Sequence, residues 1–352
     1  MRVIYSFNKT GFEAEYWSRE IAAASTSGCT FIPFNHDPYL KSILYIRAQL
    51  LDNLYFQEHP GLMRMYVDIA QRIKEVGADV LLVDNCNPYH PEFLRKLDVY
   101  RVLRTSDGPI AAYDRDFAYL HAFDHVLFHS PAYSRDLGME EKLHYCGARR
   151  VDWWPQGSFD ALCDMTKTEQ DILSGTRDID ILFIGAMHVG KMPFLASIKK
   201  ALGRRLRLRG LTTLKKNVYF NLTYGCPGWV RPVAFSEYVP LYQRTKIGIN
   251  VHNRGDYTVG GYRMFDLPAN GVMQICDGGE YLARFFEVGE EVVPHRSVDD
   301  LVAKVQYYLG NDAERERIAL NGFRRVRREY RIGDLLRKAA AHIASGLEER
   351  RR

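Results

Sequence analysis

The segment GGYRMFDLPANGVMQICD, residues 260–277, runs from a Gly-Gly pair into Arg263 and Asp266, one helical turn apart, and then into an apolar strand. Glycines let main-chain N–H groups approach phosphate oxygens, a guanidinium pairs with phosphate charge, and a carboxylate three residues on accepts from two ribose hydroxyls. Gly260, Gly261, Tyr262, Arg263 and Asp266 are therefore expected to hold a diphosphate beside a ribose. An ordinary loop, helix and strand, with Arg263 and Asp266 on a solvated face, fits the same residues. A second segment, FIGAMHVGK at 183–191, places Gly185, Gly190 and Lys191 between a strand and a helix. Its spacing is neither a Walker A loop nor G-x-G-x-x-G, yet it suits a phosphate at a helix N-terminus. Lys191 at the start of a surface helix is the plain alternative, and His188 reads as a loop histidine in water.

In the first half, polar residues follow apolar strands: Asp84 and His90 in VDNCNPYHP, Asp107 in TSDGP, and His129 at the end of HVLFH. Asp107 is the leading candidate for a general base or a sugar contact, because a carboxylate there can take a proton from a hydroxyl as a leaving group departs. An Asx-turn before Gly-Pro uses Asp in the same place. Asp84 and His90 are the second candidates, and His129 reads as a core residue. Trp153 and Trp154 suit hinge packing or stacking on a sugar. The six cysteines, at 29, 86, 146, 163, 226 and 276, form no C-x-x-C pair. Asp114 and Asp116 have D-x-D spacing but lead through a turn into a helix. No metal site is expected.

The elements that must position these residues are short apolar strands alternating with amphipathic helices. Strands are expected over 3–7, 30–33, 78–83, 100–104 and 125–129, then over 179–185, 206–210, 247–251, 272–276 and 291–294. A long helix-forming region covers 39–76. Such βαβ alternation predicts α/β architecture with parallel sheets, and ligands at the strands' carboxyl ends, where the candidates lie. A chain of 352 residues suits two domains. The boundaries expected are 1–157, a helix-poor linker over 158–177, a second domain over 178–331, and a closing helix over 332–352. In that helix Leu335, Leu336, Ala339, Ile343 and Leu347 share one apolar face.

Apolar residues make up 46% and charged residues 26%, the balance of a globular protein. A net charge of +5 does not announce a nucleic-acid binder. The opening MRVIYSF reads as a strand and not a leader. No apolar run approaches the roughly 18 residues of a membrane span. A reducing, cytoplasmic setting is expected.

The order of these pieces resembles a known family. DIDILFIGA, VPLYQRTKIGINVH, YRMFDLPANGVMQICDGGEYLARFFEVGEEVV and the closing DDLVAKVQYYLGNDAERERIALNGFRRVRREY resemble the nucleotide-binding lobe of GT-B glycosyltransferases, most of all the CgeB-like (spore-maturation type) branch of the family 1/4 group. The resemblance covers 175–330 and reaches the first half loosely, through GADVLLVD, SDGP and FDHVLFHSPAYS. It implies two doubly wound Rossmann-like domains facing across a cleft, with the tail crossing back onto the first. It implies transfer of a sugar from a nucleotide-sugar donor to a hydroxyl of an unidentified acceptor (glycan, protein, small molecule or nucleic acid), without cofactor or metal. Asp266 matches the second acid of the family's E-x7-E motif, which holds ribose. Arg263 and Lys191 match its diphosphate contacts, and Gly11 matches the glycine that admits the donor phosphates to the first lobe. The first acid of that motif falls on Thr258, which leaves retention or inversion open. A sugar-nucleotide epimerase of the same fold and a non-catalytic sugar-nucleotide binder are the alternatives.

Overall fold

The computed structural model describes residues 1–40, 47–84, 88–105, 112–134, 136–210, 214–224, 228–252 and 260–352. Its strands are β1 (Arg2–Phe7), β2 (Thr30–Asn35), β3 (Val80–Asp84), β4 (Tyr100–Thr105), β5 (His125–Phe128), β6 (Val151–Trp153), β7 (Ile179–Gly185), β8 (Leu206–Gly210), β9 (Val230–Pro232), β10 (Thr245–Asn250), β11 (Met273–Cys276) and β12 (Val293–Pro294). They form two six-stranded sheets, ordered β2-β1-β3-β4-β5-β6 and β12-β11-β10-β7-β8-β9. Every pairing is parallel, and the intervening helices supply the crossovers that parallel strands need. The chain divides into two compact units: Met1–Gln156 with Ile332–Arg352, and Gly157–Arg331.

In the first unit, Ile4, Leu81, Val83, Leu103 and Val126 enter one core with the helix Pro60–Val76. Their strand neighbours point to the other face, where Tyr5 and Phe7 meet the Trp17 ring at 6.3 and 5.6 Å. The helical region expected over 39–76 is interrupted. Helices Ala48–Phe56 and Pro60–Val76 are separated at Glu58, whose φ is 50°, and Pro60 opens the second. The C-terminal helix Ile332–Arg351 packs within this unit: Arg150 Nη1 donates to Glu349 at 2.7 Å and Arg350 Nη1 to the Val99 carbonyl at 2.7 Å.

In the second unit, Ile181 and Phe183 face the helices Met192–Leu202 and Val298–Gly310. Leu182 and Ile184 face Tyr242 and Leu267 on the opposite side. The stretch expected as a helix-poor linker carries a helix, Glu169–Ser174, opened by a Thr168–Asp171 capping box. Arg327 and Arg331 tie it to the rest of the unit, Arg327 through the carbonyls of Asp164, Met165 and Lys167, and Arg331 through the Asp160 carboxylate. Helix Leu214–Tyr224 and strands β6 and β9 were not expected.

Candidate anion site

The carboxyl ends of β7 and β10 adjoin in the second sheet. Between them sits Arg263, the first residue of helix Arg263–Ala269. Its Nε donates to the Ile184 carbonyl on β7, and its Nη1 donates to Asn250 Oδ1 on β10 at 2.9 Å. Asn250 is in turn oriented by donating to Gln274 Oε1 at 3.2 Å, and Gln274 Nε2 donates to the Met264 carbonyl at 3.2 Å. The guanidinium lies 4.8 Å from the Phe183 ring centroid. Its Nη2 rests against Gly185, where any Cβ would overlap it. Burial holds the guanidinium below its ordinary pKa, opposed by the Tyr242 hydroxyl and the carboxylates of Asp266 and Asp277.

Lys191 lies beside it, 6% exposed, with Nζ 5.7 Å from the same Phe183 ring. Its ammonium makes no side-chain hydrogen bond or ion pair among the described residues. Burial first, then the Arg263 charge, pushes its pKa down to about 7, against the pull of Asp277. His188 is lowered by burial and then by Lys191, Lys216 and Arg263. Four basic groups therefore share one field, and a desolvated cation without a counter-charge is stabilised when an anion arrives. The carboxylate that acts on both Lys191 and Arg263, Asp277, is already engaged: it accepts the His252 backbone N–H at 2.8 Å and faces His252 Nδ1 at 2.6 Å. His252, Cys276 and Asp277 form the one group of three metal-ligating types found among the described residues. Two of its three ligand atoms already bind each other, and burial holds the Cys276 thiol well above its ordinary pKa.

Gly185, Lys191 and Arg263 are thus brought together. Gly260, with φ 101°, and Gly261 lead into the same helix. Asp266, on the same helix and 5% exposed, acts on the Arg263 charge, and its Oδ1 accepts from Ser158 Oγ at 2.8 Å. Tyr262 packs on Phe159 with centroids 5.9 Å apart. Thr258 and Asp107 lie outside the described residues. In the first unit, Asp84 ends β3 at 2% exposure and accepts from Tyr5 Oη at 2.6 Å and Arg104 Nη1 at 3.1 Å. His90 uses both ring nitrogens. Nδ1 accepts the Glu92 N–H at 3.3 Å, so Nε2 donates to Asp52 at 3.2 Å, and the ring stacks on Tyr55 at 3.9 Å. Gly11 opens the helix Gly11–Ala23 with φ 50°. Trp154 lies against the Arg104 guanidinium, and Trp153 donates to the His129 carbonyl. Asn250, His252 and Asp277 escaped the sequence reading. Their only signal is a polar residue at the end of each of two adjacent apolar strands.

A family model described as glycosyl transferase-like matches residues 193–340. Among solved structures, sucrose-phosphate synthase from Thermosynechococcus elongatus is 14% identical, covers 98% of each chain and superposes with a TM-score of 0.63. HepE from Anabaena, solved with UDP-glucose, is 11% identical, with 98% of this chain and 100% of HepE covered and a TM-score of 0.63. The fold is GT-B. A Listeria monocytogenes protein assigned as a UDP-N-acetylglucosamine 2-epimerase shares the GT-B architecture less closely, at 12% identity, 99% and 97% coverage and a TM-score of 0.56. No curated protein sequence matches the chain. Within the GT-B frame, the cation cluster occupies the carboxyl ends of the second sheet, where ligands of doubly wound sheets bind. Among the described residues no helix is long and apolar enough to cross a membrane.

Proposed function

We propose that the protein is a glycosyltransferase of the CgeB-like branch, which moves a sugar from a nucleotide-sugar donor to an acceptor hydroxyl. The observation that carries this reading is Lys191, a buried ammonium without a counter-charge, held beside Arg263 at Gly185. That arrangement suits a departing diphosphate, whose growing charge the two cations stabilise without a divalent ion. The glycosyl transferase-like model over 193–340 and the GT-B fold support the reaction class. HepE, solved with UDP-glucose, supports a nucleotide sugar as donor. Asp266 contacts the ribose, with Ser158 fixing one of its oxygens. The first unit takes the acceptor, with Asp107 or Asp84 as proton acceptor, and the setting is cytoplasmic.

The test begins with thermal shifts against a panel of nucleoside diphosphates and their sugars. Labelled sugar from the nucleotide that binds is then followed with and without chelator. Transfer or slow hydrolysis that survives chelation supports the proposal. An epimerised donor identifies an epimerase, and binding without turnover identifies a sugar-nucleotide binder.

A further inference from the structure

His252 lies two residues beyond the end of β10, and Asp277 directly follows β11. The parallel register that aligns Asn250 with Cys276 brings these two side chains together. Asp277 grips His252 twice, accepting its backbone N–H at 2.8 Å and meeting Nδ1 at 2.6 Å. A carboxylate only accepts, so the hydrogen of that second bond belongs to Nδ1. This leaves Nε2 as the unused nitrogen of the ring. It is buried and has no hydrogen-bond partner among the described residues. Its edge faces the Gly260–Gly261 turn, since a Cβ on Gly261 would stand 3.9 Å from both Nε2 and Cδ2. Asp277, the residue that orients the ring, is also the carboxylate felt by Lys191 and Arg263. Cys276, which donates to the Asp277 carbonyl, and His295 also feel Asp277, while Tyr242, Asp266, His188 and Lys216 belong to the field of Arg263 and Lys191.

We infer that His252 is a third side-chain contact to the diphosphate, its Nε2 meeting a phosphate oxygen over Gly261, with Asp277 as its positioning residue. This rests on the reading of Lys191 and Arg263 as a diphosphate site. A phosphate oxygen accepts hydrogen bonds, so Nε2 meets it as a donor, in the form of the ring that carries a hydrogen on both nitrogens.

Inorganic pyrophosphate, titrated calorimetrically into the full chain, tests the contact without presuming a base or a sugar. The parent binds it, and Lys191→Met binds it more weakly. His252→Ala lowers the affinity about tenfold, the size of one hydrogen bond to a charged group. His252→Gln, whose side-chain amide can donate from the Nε2 position, recovers most of the loss. Asp277→Asn weakens the parent but adds little to His252→Ala, because the two act as one unit. Affinity within twofold of the parent in His252→Ala overturns the inference while Lys191→Met keeps the diphosphate reading. Equal loss in His252→Ala and His252→Gln also overturns it, by making the ring a packing element. A parent that ignores pyrophosphate but takes up one zinc ion, lost in His252→Ala, overturns both and assigns His252, Cys276 and Asp277 to a metal.

Discussion

Lys191 and Arg263 share a single aromatic ring: their cationic groups lie 5.7 and 4.8 Å from the centroid of Phe183. A ring face attracts a cation, but it offsets only part of the cost of burying two like charges together. Burial and the Arg263 charge still hold the Lys191 pKa down to about 7.

Lys191→Met should therefore stabilise the protein in the absence of ligand, by about 1–2 kcal/mol near neutral pH. The sign follows from the titration. The folded value of about 7 lies below the ordinary 10.5, so between those values the unfolded chain binds more protons and the parent gains stability as pH rises. The cost is fully present below pH 7. Melting temperatures from pH 6 to 10 should rise for the parent relative to the variant. A variant less stable than the parent at pH 6 contradicts this.

Gly185→Ala places a methyl group where Arg263 Nη2 lies. Arg263 cannot yield without giving up the Ile184 carbonyl or Asn250. A loss of about 1–3 kcal/mol is expected from overpacking, with nucleoside diphosphate affinity falling further than in a surface control. Denaturant melts and calorimetry on one preparation check both parts. Unchanged affinity would place the ligand away from Gly185.

Asp266→Ala removes the carboxylate that the buried Ser158 hydroxyl bonds at 2.8 Å, so the fold should lose about 1–3 kcal/mol even without nucleotide. If Asp266 also meets the ribose, the double variant Ser158→Ala with Asp266→Ala should regain stability but not nucleoside affinity. Recovery of both would make Asp266 a purely structural acid.

Gly346 lets helix Ile332–Arg351 lie against Tyr100, whose hydroxyl occupies the place of a Cβ. Gly346→Ala should cost about 1–3 kcal/mol of stability. Gly346→Ala with Tyr100→Phe should recover part of it, because the clash centres on the hydroxyl. A single variant as stable as the parent would mean that the helix shifts freely.

The glycine spacing in 183–191 and 260–271 pointed to Lys191 and Arg263 because close approach of a ligand to the backbone needs a residue without a Cβ. The strand and helix alternation announced both parallel sheets for a similar reason, since βαβ periodicity is a local pattern. What Arg263 does with its nitrogens was not legible, because its partners Ile184 and Asn250 are set by the strand order β10-β7. Asp266 illustrates the same gap: its bond to Ser158 spans 108 residues. Strand β9 is three residues long and ends in proline, too short to show a period. The pause between helices Ala48–Phe56 and Pro60–Val76 turns on one backbone angle at Glu58, which no composition reveals.

Proton uptake on ligand binding tests the central claim most directly. Calorimetry of UDP into the full chain at pH 7.5, in buffers of different ionisation enthalpy, counts the protons taken up with the ligand. If the diphosphate meets Lys191, an amine held near pKa 7 in the free protein must recharge, so net uptake is expected and should shrink in Lys191→Met. Binding of UDP with equal affinity and equal proton uptake in parent and variant would contradict the account.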